Sequence, residues 1–377
     1  MAEVRGVNFG NKGAQLMLTA IVRHFADVPG VELAADHNVG SYIERASLGL
    51  YQKIWFQRFG GWPAYLLPGK LRSVYGLVAE SEIDAVLDAS GFAYSDQWGP
   101  RRCDYLARLS LRWKSRGRKL ILLPQAFGPF ERRDTAEPFR RILANADLVF
   151  VRDRVSMEHI DRLKADTSCV RMAPDFTNQV EGEVPHYFEL RPGRAAIVPN
   201  TRMIDKRPSD ARASYLPFLT RCALELRARA LEPFVLLHET GDGELARKLV
   251  DALTDPIEVV GEPDPVKLKG ILGACAVVVG SRFHALVGAL SQGVPCLAAG
   301  WSHKYRTLLE DYGCPECLIS PDCSDQELRA ALAMVTEGRA SLIPAIESAR
   351  ARLAQATRDM WAQVHEVLGC GNASSSL

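Results

Sequence analysis

The 377-residue sequence lacks several features that would assign it to a specialised class of protein. No run of about 18 apolar residues is free of charge, which excludes a membrane-spanning helix. The first 25 residues lack the basic start, apolar core and small-residue cleavage site of a signal peptide. The nine cysteines are odd in number and scattered, which argues against a disulfide framework. We therefore expect a reduced, cytoplasmic chain.

Net charge is also nearly absent, because 46 Lys and Arg residues face 45 Asp and Glu residues. This balance argues against a surface built for nucleic acid, although it leaves room for a local basic site. Metal ligands are sparse as well. Cys314 and Cys317 form one Cys-x-x-Cys pair near Cys323, but a zinc ribbon needs a second half and only His303 lies close. We expect no metal.

Short apolar runs alternate with helical patterns in the first half of the chain, which is typical of a doubly wound parallel sheet. The predicted strands are residues 85–89, 119–123 and 147–151. The predicted helices are residues 13–26, 101–115, 135–145 and 154–163. We therefore assign residues 1–182 to a Rossmann-like α/β domain.

A stretch rich in Gly and Pro at residues 180–194 interrupts the alternation and is predicted to be a linker. The alternation then restarts, which predicts a second Rossmann-like domain over residues 195–340. Its strands are predicted at 195–198, 234–237, 257–260, 276–279 and 296–299. Its helices are predicted at 209–231, 243–253, 265–272, 284–292, 303–312 and 325–335. Within residues 341–377, a terminal helix over 343–368 is expected to pack back towards the first domain, ahead of a disordered tail.

The segment Val277–Gly280, followed by Ser281, Arg282, Phe283 and His284, is the most informative part of the sequence. An apolar strand ends in a Gly-Ser turn, and the helix that follows favours an anion at its first turn. Arg282 offers a fork that matches a carboxylate or phosphate, and His284 can donate a proton near neutral pH. The alternative is an ordinary surface ion pair beside a histidine that starts a helix. Ligands of open α/β sheets bind at strand ends, which favours the functional reading.

Together with other segments in the same order, this motif resembles the polysaccharide pyruvyl transferase family. The resemblance covers about residues 7–313. It rests on Asn8-Phe9-Gly10-Asn11-Lys12-Gly13, Arg152-Asp153-Arg154-Val155-Ser156, Asp175, His238-Glu239, Ser281-Arg282-Phe283-His284, Gly293-Val294-Pro295 and Lys304.

The resemblance implies two Rossmann-like domains facing a cleft, the GT-B-like arrangement of glycosyltransferases. It also implies transfer of a pyruvyl group from phosphoenolpyruvate onto two hydroxyls of a sugar, which forms a ketal and releases phosphate. The sugar would belong to a cell-surface polysaccharide, a glycolipid or a precursor. Phosphoenolpyruvate is the donor substrate, so no resident cofactor is expected. The candidate donor-binding residues are Ser281, Arg282, Phe283, His284, Arg152, Arg202 and Lys304.

The candidate catalytic residues are His284, Arg282, His238 and Glu239. In this hypothesis Arg282 clamps the anionic donor, while His284 holds the phosphate or protonates it as it leaves. Removal of the hydroxyl protons needs a base. Asp96, Asp175, His238 and Glu239 all remain open for that role. Arg152 and Asp153 are equally well explained as an ion pair at the start of a helix.

The sugar acceptor is expected on the side of the first domain. The candidate acceptor-binding residues are Asn8, Asn11, Tyr94, Asp96, Trp98 and Asp175. The alternative for Asn11 is a helix cap in a tight turn, and the alternative for Tyr94, Asp96 and Trp98 is a packed loop. Residues 89–90 are also poorer in glycine than the common pattern of the family, which leaves the acceptor less defined than the donor.

Residues 46–79 form a basic and aromatic stretch with four Lys and Arg residues and no Asp or Glu. Such a stretch can lie on an anionic membrane surface, here the inner face of the membrane, if the acceptor is lipid-linked. The alternative is an aromatic wall on the acceptor side, covered by long basic side chains. Repeated Gly and Pro residues interrupt any amphipathic helix, so the wall is favoured.

Two other functions remain open. A GT-B glycosyltransferase would use a sugar nucleotide, although no Asp-x-Asp triplet, a common metal-binding pair of such enzymes, occurs in the chain. A catalytically silent sugar-binding protein would bind a sugar without turnover. The presence of both Arg282 and His284 argues against the second.

Overall fold

In a computed structural model, the chain is described over residues 1–54, 67–205, 213–300 and 302–370. It divides into two compact units, each built on a parallel β-sheet. The first unit contains Met1–Phe9, Met17–Phe176 and the chain from Ala356 onward. The second contains Gly10–Leu16 and Thr177–Gln355. The expected α/β fold class is confirmed.

The sheet of the first unit has eight strands in the order β4-β3-β2-β1-β5-β6-β7-β8. Its strands are β1 (Ala2–Arg5), β2 (Leu33–Asp36), β3 (Tyr51–Ile54), β4 (Leu77–Ala79), β5 (Ala85–Asp88), β6 (Lys119–Gln125), β7 (Leu148–Val151) and β8 (Val170–Met172). The apolar runs predicted at 85–89, 119–123 and 147–151 correspond to β5, β6 and β7. These central strands are buried, as expected for a sheet covered on both faces.

Helices connect these strands and cover the sheet. They are α1 (Lys12–Phe25), α2 (Tyr42–Ser47), α3 (Gly69–Val74), α4 (Pro100–Lys114), α5 (Arg133–Asn145) and α6 (Arg154–Asp161). β1 to β4 and β8 escaped prediction. The reason is visible in β1 and β3, where Glu3 and Lys53 form a 2.5 Å ion pair that is almost fully buried. A charged residue inside a short strand hides the strand from any reading based on hydrophobicity.

The sheet of the second unit has five parallel strands in the order β11-β10-β9-β12-β13. They are β9 (Arg194–Val198), β10 (Glu232–Leu237), β11 (Val259–Gly261), β12 (Val277–Gly280) and β13 (Cys296–Ala298). The predicted strands agree with these to within two residues at their ends. The β9, β10 and β12 strands are neighbours, so the loops that follow them lie together at one edge of the sheet.

The helices that follow β9 match the predicted ones in order, with one short helix, Arg202–Asp205, in addition. They are α7 (Arg202–Asp205), α8 (Tyr215–Ala228), α9 (Gly243–Asp251), α10 (Pro265–Gly273), α11 (Phe283–Leu290), α12 (His303–Asp311), α13 (Asp325–Val335) and α14 (Arg339–Leu368). The first residues of the helix predicted at 209–231 lie outside the described residues. Among the described helices, none combines the length and apolar character needed to cross a bilayer.

Aromatic and histidine side chains join α1 to the end of α14 within the first unit. The His24 ring stacks on Trp361 with 4.0 Å between centroids, and its Nε2 lies 2.7 Å from Nε2 of His365. Phe25 stacks on His365 at 5.6 Å. Burial, followed by the neighbouring His365 charge, lowers the pKa of His24 to about 4. Protonation of His24 is therefore unfavourable in the folded protein.

The lowered pKa of His24 predicts that the stability of the fold decreases in acid. An unfolded histidine titrates near pH 6.5, so between about pH 6.5 and 4 the unfolded chain binds the extra proton and folding loses free energy as the pH falls. We expect a loss on the order of 1–2 kcal/mol from His24, allowing for its partial exposure. His24→Phe keeps the stack on Trp361 but cannot titrate, so its unfolding midpoint should fall less steeply with pH. The exposed His186→Phe is the control, and equal slopes in His24→Phe and the unaltered chain would contradict the prediction.

Candidate functional site

Arg282 lies at the end of β12 and is the centre of the candidate site in the second unit. Its side chain is 9% exposed, and its Nε donates to Oδ2 of Asp242 at 2.8 Å. Its Nη2 donates to Oδ1 of Asp242, and its Nη1 donates to Oε2 of Glu239. Burial works against the charged guanidinium, but the bonds and charges of Asp242 and then Glu239 outweigh it, so the pKa of Arg282 is raised. The guanidinium is therefore a fixed, permanent charge.

Asp242 joins the three strand-end loops of this edge. Its carboxylate is fully buried and, besides Arg282 from the loop after β12, it accepts hydrogen bonds from the Thr201 backbone N–H at 3.0 Å and the Thr201 hydroxyl at 3.2 Å. Thr201 belongs to the loop after β9, and Asp242 itself follows β10. Sequence reasoning did not single out Asp242. Its only signal was a carboxylate three residues after Glu239, immediately before a helix.

Ser281 is buried, and its backbone is held by two hydrogen bonds. Its carbonyl accepts from the Asn200 side-chain amide at 2.5 Å and from the Tyr305 hydroxyl at 2.9 Å. Arg202, by contrast, has an exposed side chain that pairs with Asp205 at 3.5 Å, and its backbone N–H donates to Asn200. The backbone of the loop at Ser281 is therefore held by hydrogen bonds, and the Arg202 side chain is exposed to solvent.

Residues 11–13 also belong to the second unit. Asn11 caps α1, since its Oδ1 accepts from the backbone N–H of Gly13 at 3.0 Å and of Ala14 at 3.2 Å. Its Nδ2 donates to Oε2 of Glu239 at 3.4 Å. Asn11 therefore caps the helix and also contacts Glu239, one of the candidate catalytic residues. Asn8 follows β1, is exposed and belongs to the first unit.

The two candidate histidines differ in their surroundings. Burial, followed by the charges of Arg282 and His284, lowers the pKa of His238 well below its usual range. His238 is therefore neutral at physiological pH, and its backbone carbonyl accepts from the Lys12 N–H at 3.3 Å. His284 is only partly buried, and its ring lies edge-on to Phe283 with centroids 5.4 Å apart. His284 is the better placed of the two to exchange a proton with a ligand.

Lys304 adds a second cation close to His284. Its Nζ lies 5.3 Å from the centre of the Phe283 ring and 5.5 Å from that of Tyr305, which is cation–π distance. Since Phe283 contacts both His284 and Tyr305 through its ring, these side chains form one cluster. The structure thus brings the Ser-Arg-x-His segment and Lys304 together.

Arg152 and Asp175 lie in the first unit and pair with each other at 3.0 Å, with both side chains 5% exposed. The next residue, Asp153, caps α6 by accepting from the Ser156 N–H at 2.8 Å, and Ser156 in turn accepts from the Phe127 N–H at 2.9 Å. The Arg-Asp-x-x-Ser motif thus forms an ion pair and a helix cap within the first unit.

The aromatic loop after β5 is packed within the first unit. The Tyr94 hydroxyl donates to buried Asp88 at 2.8 Å, and burial followed by the Asp88 charge raises the pKa of Tyr94 well above its usual range. Asp96 holds the start of α5 by accepting from the backbone N–H of Glu131 at 2.7 Å and from Thr135. Trp98 stacks under the Arg102 guanidinium at 5.6 Å. The packed-loop alternative therefore describes Tyr94 and Asp96.

The stretch at residues 46–79 is only partly described, because Trp55 to Tyr65 and the adjoining Leu66 lie outside the described residues. In the described part, Lys53 is buried against Glu3, and Arg72 pairs with Glu82. The basic character of the stretch is therefore weaker than its sequence suggests. On the metal question, the described ranges contain no group of three His, Cys, Asp or Glu side chains placed to hold an ion.

The Cys-x-x-Cys pair is buried in the second unit. A hydrogen bond with the Cys314 side chain, followed by burial, raises the pKa of the Cys317 thiol. A thiol that resists deprotonation is a poor metal ligand and a poor nucleophile.

The close approach of α1 to His284 yields a test of the site. A Cβ on Gly13 would lie 2.3 Å from Nδ1 of His284, so Gly13→Ala must displace the imidazole. We expect the His284 signals in the NMR spectrum of the histidine-labelled protein to shift. We also expect the unfolding midpoint to be lower. Gly241→Ala is the matched control, because no atom lies within 4 Å of its added Cβ. Unchanged His284 signals in Gly13→Ala would refute this placement of the ring.

Solved structures similar to this chain show the same fold. The Anabaena protein Alr3699/HepE in complex with UDP is 12% identical, with 98% of each chain covered and a TM-score of 0.57. The UDP-GlcNAc 2-epimerase of Neisseria meningitidis bound to UDP-GlcNAc is 7% identical over 97% of this chain and 100% of that chain, with a TM-score of 0.53. At these identities the likeness supports the GT-B-like α/β fold and nothing finer.

The sequence itself carries a stronger signal. The model of the polysaccharide pyruvyl transferase family matches residues 11–303, which include Arg282, Glu239 and His284 and end just before Lys304 and Tyr305. This match spans well over half of the 377 residues. The chain therefore belongs to the polysaccharide pyruvyl transferase family.

Proposed function

We propose that this protein transfers a pyruvyl group from phosphoenolpyruvate onto two hydroxyls of a sugar, forming a ketal and releasing phosphate. The observation that carries the proposal is the family match over residues 11–303 together with the buried, permanently charged Arg282 beside His284. Phosphoenolpyruvate carries a carboxylate and a phosphate, so it needs fixed positive charge. Arg282, His284 and Lys304 provide such a group of side chains.

The reaction balances as follows. One sugar hydroxyl oxygen bonds to C2 of phosphoenolpyruvate, and a proton joins the methylene carbon, which becomes a methyl group. The C2–O bond to phosphate then breaks, and the second hydroxyl oxygen bonds to C2. The two hydroxyl protons are accounted for by the new methyl group and the departing phosphate.

The proposed roles follow from the surroundings of each group. His284 protonates or holds the leaving phosphate, since it is partly exposed beside Lys304 and Arg282. Glu239 accepts a hydroxyl proton, because its side chain is 25% exposed, whereas Asp175 is buried against Arg152 and Asp96 holds a helix start. His238 stays neutral and positions the loop. Phosphoenolpyruvate is a metabolite of the cell interior, so the proposal assigns the reaction to the cytoplasm.

The role of His284 can be tested directly. His284→Ala should abolish phosphate release from phosphoenolpyruvate in the presence of a sugar acceptor, with the unfolding midpoint nearly unchanged because the side chain is only partly buried. A panel of sugars, read by the mass gain of a pyruvyl ketal, identifies the acceptor for this assay. The exposed His186→Ala serves as the control and should keep full activity. Full activity of His284→Ala would overturn the role.

A sugar-nucleotide glycosyltransferase is the second candidate, because the HepE structure of similar fold is a complex with UDP. The two functions differ in their donor. Phosphoenolpyruvate should raise the unfolding midpoint of the protein, whereas UDP and GDP should not. The reverse result would favour the glycosyltransferase, and a protein that binds sugar with no phosphate release would be catalytically silent.

Contact with a membrane would bring a lipid-linked acceptor to the enzyme. In the first unit, α2 and α3 expose large apolar side chains, namely Tyr42, Ile43, Leu71, Val74 and Tyr75, and the Tyr42 hydroxyl donates to the Tyr75 carbonyl at 3.1 Å. This hydrogen bond links α2 to the end of α3, and we propose that the exposed apolar side chains of the two helices touch the inner face of the membrane.

A flotation assay tests this contact. The protein should float with anionic vesicles, and Ile43→Asp combined with Val74→Asp should reduce the bound fraction several-fold, because a carboxylate is costly to bury in lipid. Leu190→Asp is the control, since Leu190 is exposed in the second unit. Failure of the unaltered protein to float would reject the membrane contact and favour an aromatic wall for residues 46–79.

A further inference from the structure

Arg282 faces more negative charge than it can neutralise. Its single guanidinium is bonded to two carboxylates, Asp242 and Glu239, and a further contact to Glu239 comes from the neutral amide of Asn11 at 3.4 Å. A cationic side chain that is to hold an anionic donor is thus already occupied by protein carboxylates. The two carboxylates cannot both remain on the guanidinium when the donor binds there.

The two carboxylates are held very differently. Asp242 is completely buried, uses both oxygens on the Nε and Nη2 edge of Arg282, and is anchored by two bonds from Thr201. Glu239 uses one oxygen on Nη1, and its side chain is 25% exposed. Displacing Asp242 would leave a buried carboxylate without its countercharge, which is strongly destabilising, whereas Glu239 can turn towards water.

We propose that Glu239 is a place-holder for an anionic oxygen of the donor, and that Asp242 is a positioning residue which keeps Arg282 in place during the exchange. When phosphoenolpyruvate binds, one of its carboxylate or phosphate oxygens takes the place of the Glu239 oxygen on Nη1. Asp242 retains the other edge of the guanidinium throughout. This inference rests on the proposed function for the identity of the donor.

The exchange also changes what Glu239 can do. In the structure, Oε2 of Glu239 accepts a hydrogen bond from Nη1 of Arg282 and is not available to a sugar hydroxyl. Once the donor has displaced it, this oxygen is released and can face the acceptor. Binding of the donor therefore prepares the group that is to accept a hydroxyl proton from the sugar.

The two carboxylates predict opposite effects on donor affinity. By charge alone, removing either one should strengthen the binding of an anion. Under our proposal Glu239→Gln lowers the Kd for phosphoenolpyruvate about five- to twentyfold, because the competitor becomes neutral. Asp242→Asn instead raises the Kd about tenfold or more, because the guanidinium loses its anchor.

The experiment is calorimetric titration of the full-length chain and its variants with phosphoenolpyruvate. Glu244→Gln is the matched control, since Glu244 is a nearby carboxylate of α9 whose side chain is 70% exposed, and its Kd should stay within about twofold. In the double variant, Glu239→Gln should no longer improve binding, because Arg282 is no longer held. A purely structural role of Asp242 would lower the unfolding midpoint but would leave the effect of Glu239→Gln intact.

Each result has a distinct meaning. No binding of phosphoenolpyruvate by the unaltered chain overturns the donor assignment and this inference with it. If the unaltered chain binds phosphoenolpyruvate and Glu239→Gln binds it equally well or more weakly, the place-holder role is wrong and the proposed function is unaffected. Glu239 is partly exposed, so Glu239→Gln is expected to fold. Its titration therefore tests the place-holder role even if Asp242→Asn fails to fold. Tighter binding by folded Asp242→Asn overturns the positioning role.

Discussion

The buried pairing of Arg282 with Asp242 is the interaction on which the candidate site depends. A guanidinium that is 9% exposed is tolerable only where carboxylates compensate the cost of removing it from water. Asp242 supplies that compensation and, through Thr201, also ties the loop after β9 to the loops after β10 and β12. The same contact thus fixes a charge and assembles the edge of the sheet. Few substitutions at Asp242 could preserve both effects.

The buried ion pairs of the two units differ in their access to solvent. In the first unit, Arg152 pairs with Asp175, and Glu3 on β1 pairs with Lys53 on β3 across the intervening strand β2. Each of these pairs is nearly closed to water. In the second unit the pairing around Arg282 includes a partner that still reaches solvent. A site for a small anion needs such an exchangeable partner, because a fully closed ion pair has no room for a ligand.

Most of the second unit was predictable from sequence, and much of the first was not. The strands β9, β12 and β13 are short apolar runs between turn residues, so their local pattern was sufficient. β1 and β3 contain Glu3 and Lys53, whose burial makes sense only once both strands have paired with β2, which brings the two charges together. The positions of Arg282 and Glu239 followed from the rule that polar residues at strand ends gather at one edge. The role of Asp242 in holding Arg282 depends on contacts between loops about 40 residues apart in the sequence, and no local pattern reveals such contacts.

Residues 10–16 group with the second unit although the chain on both sides of them groups with the first. The environment of the candidate site is therefore discontinuous in sequence. A fragment starting at Thr177 would contain Arg282, Glu239 and His284, yet it would lack the Asn11 amide that contacts Glu239 and the helix turn whose Gly13 backbone lies against the His284 ring. An exchange of the second units between two relatives would have to carry this seven-residue segment along, or the imidazole would meet a foreign surface.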